Sequence, residues 1–248
     1  MKAPVQMPPV RPSTLIFLCV CACLGGVAAR AEPMPALAED ARKFWTTVGL
    51  VNVAGHRTKS SCTGTLIAPD LVVTAAHCAG DDRHFVAGWD RGTFTAHRRS
   101  AEAVVHPNYL AAKGNDRFRY DVAVLRLADP ISPAELDPVS LNAQPARRVG
   151  PFTVLGYHRK RPHILNGRSD CASAKNAGPS ILVLDCEVIP GNSGGPVLAA
   201  DGDGWTIVAI VSGRVGGEVP LALAAPVDDW LIGQWQAALD RAGTSATR

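Results

Sequence analysis

From Thr47 onward the chain is a succession of short apolar runs cut by turn residues. Val48–Val53, Gly64–Ile67, Leu71–Thr74, Phe94–Ala96, Val122–Leu127, Phe152–Leu155, Ile181–Leu184 and Trp205–Ser212 are rich in β-branched residues and too short for buried helices. Such runs at such spacings predict strands of an all-β barrel or sandwich. Asp201-Gly202-Asp203-Gly204 stands between two apolar stretches and predicts a hairpin turn. As a calcium loop it lacks the remaining ligand positions and the terminal glutamate. One segment has a different period. In 227–242, Trp230, Leu231, Gln234, Ala238 and Leu239 recur at helical spacing, and Asp228 and Asp229 lie where a helix dipole favours acids. The prolines of Asp129-Pro130-Ile131-Ser132-Pro133, with Pro138 and Pro145, predict a linker between two β units.

The first 31 residues read as an export signal. Lys2 and Arg11 precede the apolar run Leu15–Leu24, and Ala29-Arg30-Ala31 offers a small-x-small cleavage pattern. The run is shorter than the roughly 20 residues of a spanning helix, which weakens the alternative of a membrane anchor. No good lipobox precedes Cys23. Residues 32–43, polar and proline-containing, are expected to form a flexible leader.

This division changes what composition says. The whole chain of 248 residues carries a net charge of +3 and seven cysteines. Three basic residues and three cysteines belong to the signal, leaving a formally neutral chain with Cys62, Cys78, Cys171 and Cys186. Neutrality gives no ground for a nucleic-acid partner or for stable membrane association after cleavage. An even cysteine count in an exported chain reads as two disulfides, and the expected location is secreted or periplasmic.

Three segments carry chemistry: Thr74-Ala75-Ala76-His77-Cys78 after a strand, Asp121-Val122-Ala123-Val124-Leu125 opening a strand, and Gly191-Asn192-Ser193-Gly194-Gly195-Pro196. Singly, each has a plain reading: a structural histidine, a strand-edge acid, a glycine turn. Together they resemble the chymotrypsin/trypsin family of serine proteases, in which His, Asp and Ser follow one another in that chain order. Cys62-Thr63-Gly64-Thr65-Leu66-Ile67, Val104-Val105-His106-Pro107-Asn108-Tyr109, Ile207–Gly213 and the terminal helix extend the likeness over roughly 48–239.

The resemblance implies two packed six-stranded antiparallel β-barrels, over 44–145 and 146–248, with the C-terminal helix at the end of the second. It implies Ser193 as nucleophile, His77 as general base then acid, and Asp121 as the carboxylate that orients the imidazole. The backbone N–H groups of Gly191 and Ser193 would hold the oxyanion. No metal or organic cofactor is implied, and the substrate would be a protein or peptide. Cys62 is placed to bridge Cys78. Cys171 is expected to pair with Cys186, although Cys186, seven residues before Ser193, departs from the vertebrate spacing.

Other departures bear on function. Asn192 stands where trypsin-type zymogens carry an aspartate that pairs with a new amino terminus, and no basic residue followed by Ile-Val-Gly-Gly occurs. The expectation is a site formed without trypsin-style activation. Substrate preference stays open between two charges. Glu187 falls at the pocket base by counting back from Ser193 and would favour Lys or Arg. Arg214, beyond the wall residues Ser212 and Gly213, would favour acids. The basic run His158-Arg159-Lys160-Arg161 reads as a solvated loop. Two rival readings stand beside the protease: a catalytically silent binding protein, and an esterase or processing enzyme of narrow specificity.

Overall fold

The computed structural model describes residues 33–57, 61–143, 150–174, 180–216 and 220–246. The expected export signal, residues 1–31, lies outside them. A short helix α1 (Glu39–Phe44) leads into β1 (Val48–Asn52), β2 (Cys62–Ala68), β3 (Leu71–Thr74), β4 (His84–Ala87), β5 (Ala96–Val105), the short helix α2 (Asp116–Arg119) and β6 (Ala123–Leu127). The six strands close into an antiparallel barrel in the order β1-β2-β3-β6-β5-β4. Val51, Leu66, Val72, Phe85 and Leu125 fill part of its core. Here β4 and β5 exceed the expectation. β5 begins at Ala96, where the predicted Phe94–Ala96 run ends, and continues through Arg98, Arg99 and Glu102, whose charge masks the strand period.

The second half forms a sheet from β7 (Ser140–Leu141), β8 (Phe152–His158), β9 (Arg161–Cys171), β10 (Leu182–Leu184), β11 (Pro196–Asp201), β12 (Gly204–Val215) and β13 (Leu221–Pro226). Its main path runs β10-β13-β12-β11-β8-β9. Just past β9, Ala174 N–H donates to the Val183 carbonyl (2.8 Å) and Asp185 N–H to the Ala172 carbonyl (3.1 Å), joining the two edge strands. The expected hairpin at 201–204 is present, with Asp201 opposite Gly204. The passage between the two halves differs from a linker ending at residue 145, because β7 already pairs in parallel with β12.

The helix α3 (Asp229–Ala246) begins where the sequence places it. Asp228 accepts the Leu231 N–H at 3.0 Å, satisfying one free donor of the first turn. Although the helix follows the second sheet, it covers the first barrel: Trp235 Nε1 donates to the Ile67 carbonyl at 2.7 Å, and Arg241 pairs with Asp70. Among the described residues no helix is long and apolar enough to cross a membrane.

Residues 33–43, expected to be a flexible leader, are held in place. Leu37 N–H donates to the Leu165 carbonyl (3.1 Å) and Gly167 N–H to the Pro35 carbonyl (2.9 Å), so the arm lies along β9. Met34 is fully buried, and Arg42 is buried beside Asp90 at 2.9 Å. The composition looked solvent-loving, but its few apolar side chains find a core and its arginine finds a carboxylate.

Candidate active site

β3 and β6 are antiparallel neighbours with Thr74 opposite Ala123. The end of β3 and the start of β6 therefore lie at the same end of the barrel. A 3-10 turn after β3 (Ala76–Cys78) carries His77, and Asp121 sits two residues before β6. The ring Nδ1 of His77 lies 2.7 Å from Asp121 Oδ2, and the His77 backbone N–H donates to Asp121 Oδ1 at 2.9 Å. Ser212 on β12 donates its hydroxyl to Asp121 Oδ2 at 2.5 Å. The carboxylate is buried and accepts three hydrogen bonds, whereas the imidazole side chain stays 40% exposed toward solvent. A carboxylate at Nδ1 fixes the tautomer, so Nε2 carries the free lone pair.

Ser193 lies in the tight turn between β10 and β11 and lines the same cleft as His77 and Gly191. The turn is built on glycine. Gly191 has φ +109°, and a Cβ there would come within 2.7 Å of His158 Cα and 2.9 Å of the Tyr157 carbonyl. Gly194 has φ +82°, and its Cβ would overlap the Thr63 carbonyl and the Thr74 hydroxyl. Gly194 N–H donates to the Val211 carbonyl (2.7 Å) and Gly195 N–H to the Asn192 carbonyl (2.9 Å). Among the described residues, the N–H groups of Gly191 and Ser193 have no acceptor. Two free donors beside a serine hydroxyl in a cleft can hold a negatively charged oxygen.

The comparisons follow the same lines. Residues 62–210, more than half of the chain, match the trypsin-like peptidase domain. The chain belongs to the trypsin-like peptidase family. Among curated proteins it is 29% identical over 192 residues to vitamin K-dependent protein C of Rattus norvegicus, covering 62% of this chain and 40% of that protein. It is 33% identical over 115 residues to chymotrypsin-like elastase family member 1 of Felis catus, covering 44% and 39%. An uncharacterized peptidase of Corynebacterium glutamicum (strain R) is 23% identical over 152 residues, covering 57% and 51%. The chain thus spans about half or less of the length of these relatives.

The chain carries the disulfides Cys62–Cys78 and Cys171–Cys186. The first ties β2 to the histidine turn, and the second pins β9 beside β10. Closing a loop of about 15 residues is worth roughly 3 kcal/mol in the chain-entropy model. Cys62, Cys78 and His77 lie close enough to suggest a metal cluster, but both sulfurs are consumed by the disulfide.

Asn192 is buried and serves its own turn. Its Oδ1 accepts the Ile189 N–H at 2.9 Å, and its Nδ2 donates to the Tyr157 carbonyl at 3.1 Å. Both halves of the amide are satisfied without an amino terminus. Beside it, the basic run is not simply solvated. His158 is buried, and its Nε2 lies 3.1 Å from the Met34 carbonyl. Arg159, Lys160 and Arg161, at the β8–β9 turn, are exposed as expected.

The cleft is walled by Val188, Ile189, Val211, Gly213 and Arg214. Glu187, expected at its base, does not line it. It is half-buried directly after the disulfide-bonded Cys186, and Val188 and Ile189 take the wall instead. Ser212, expected as a wall, turns its hydroxyl to Asp121. Thr63 is the contributor that sequence reading missed, since a lone threonine in a strand signals only β propensity.

Proposed function

We propose that the chain is a secreted serine endopeptidase acting through a Ser193 acyl-enzyme. The observation that carries this reading is the solvent-facing His77, held by the buried Asp121 and sharing a cleft with Ser193, beside two backbone N–H groups with no acceptor among the described residues. A serine hydroxyl is a weak nucleophile, and the lone pair on His77 Nε2 takes its proton as Oγ attacks the scissile carbonyl. Asp121 holds the ring and stabilises the imidazolium. The Gly191 and Ser193 N–H groups receive the oxyanion. Collapse passes the proton to the leaving amine, and water then repeats the sequence to release the acid. The export signal expected from the sequence and the two disulfides support a secreted or periplasmic location.

Asn192 needs no new amino terminus, and the arm from Met34 is already docked. Both support a site competent without cleavage near Lys43. For substrate, Arg214 is the sole arginine or lysine among the described cleft-lining residues, and it favours acidic side chains. The purified chain beginning at Glu32 is expected to cleave Glu-containing peptides at least tenfold faster than Lys- or Phe-containing ones. The Ser193→Ala variant should lose all cleavage, and Arg214→Ala only the preference. Equal wild-type rates on the three peptides would discard the charge argument. Cleavage that survives Ser193→Ala would discard the mechanism.

A further inference from the structure

Thr63 in β2 is fully buried, and its backbone N–H, carbonyl and hydroxyl are all engaged. Its N–H donates to the Ser193 carbonyl at 2.8 Å. Its carbonyl accepts the Thr74 hydroxyl at 2.7 Å. Its own hydroxyl donates to the Gly191 carbonyl at 2.8 Å and accepts the Tyr157 N–H at 2.9 Å. Room for this hydroxyl comes from Gly156, where a Cβ would press within 3.2 Å of Thr63 Oγ1 and 3.0 Å of Asn192 Nδ2.

These bonds fix three consecutive peptide planes. The Gly191 carbonyl belongs to the 191–192 peptide and the Ser193 carbonyl to the 193–194 peptide; Thr63 holds both. Between them, the Asn192 carbonyl accepts the Gly195 N–H at 2.9 Å. A trans peptide sets its N–H opposite its carbonyl, so the Ser193 N–H is turned the other way. On its far side Thr63 is bonded to Thr74, three residues before His77. One residue of the first barrel therefore registers the oxyanion turn of the second against the strand that delivers the base. A hydroxyl that donates to the 191–193 turn and accepts from β8 does this with a single rigid χ1.

We infer that Thr63 is a positioning residue for the reaction, its hydroxyl holding the 191–193 turn in the conformation that binds the transition state. The inference rests on the reading of Ser193 as nucleophile. Its effect falls on the chemical step, because the oxyanion forms only after attack; uniform substrate binding is left alone.

Thr63→Val keeps the shape and removes the hydroxyl. With peptide substrate, kcat is expected to fall by about 10–100-fold while KM stays within about threefold. Thr63→Ser restores the hydroxyl, and kcat should return to within about threefold of wild type. A residue serving stability alone would lower the melting temperature and leave kcat per folded molecule unchanged. If Thr63→Val does not fold, Thr63→Ala is read against Thr63→Ser in the same way. A folded hydroxyl-free variant with kcat within about threefold of wild type would overturn the inference, as would a Thr63→Ser variant equally impaired. Folded wild type without activity in that assay would overturn the protease reading itself.

Discussion

Asp121 shows how much one residue depends on groups that sequence places far apart. Its carboxylate accepts from His77, from the His77 backbone and from Ser212, which is 91 residues away. Because charged acceptors make hydrogen bonds worth about 1.5–3 kcal/mol, the Ser212 hydroxyl matters beyond shape. Ser212→Ala is expected to lower kcat/KM by about tenfold or more, with the folded state retained; steady-state kinetics beside a thermal melt would check this. An unchanged kcat/KM would mean that His77 alone fixes the carboxylate. That His77 meets Asp121 and shares a cleft with Ser193 was legible because the three motifs together resemble one family. Ser212 was legible as a residue of interest but not in its role. Thr63 was not legible at all, since what distinguishes it is partners 94 and 128 positions away.

At the scale of elements, the apolar runs marked many of the buried strands but missed the short, buried β4 and β13, as well as β5, whose face is charged. β1 is buried along its whole length and was plain, whereas β5 carries arginines and a glutamate and was hidden. The arm 33–43 misled in the other direction, because polar composition does not reveal a backbone that can pair with β9. That arm has a testable pH signature. His158 Nε2 donates to the Met34 carbonyl, and its Nδ1 accepts the Arg161 N–H at 3.2 Å, so the ring is bonded as the neutral tautomer. Burial, the largest cause, lowers its pKa below the ordinary 6.5, against the raising effect of the Met34 bond. The unfolded chain then binds more protons than the folded one in the range below about 6.5. The stabilisation is present above that pH and is lost as pH falls through the lowered folded pKa. The melting temperature should drop on acidification from about pH 6.5, and His158→Gln should flatten part of that slope. His97, lowered mainly by burial and then by His84 and His56, supplies a remaining part. A His158→Gln profile parallel to wild type would show that the arm is anchored independently of this ring.

At the scale of the molecule, the two β units meet where the chemistry is. Leu50 and Ile67 of the first barrel and Leu155 and Ile210 of the second belong to one apolar core. The fold class was readable because eight short runs, one helix and the order His, Asp, Ser all pointed to the same architecture. The crossing of β7 into the second sheet and of α3 onto the first barrel was not, because such pairings depend on long-range packing. On the proposed mechanism, Ser193 is an activated nucleophile in the uncleaved chain. Fluorophosphonate labelling of the folded protein beginning at Glu32 tests it directly. Wild type should be labelled at Ser193 without prior proteolysis, and Ser193→Ala should not be labelled. Folded wild type that stays unlabelled, or is labelled only after cleavage near Lys43, would contradict it.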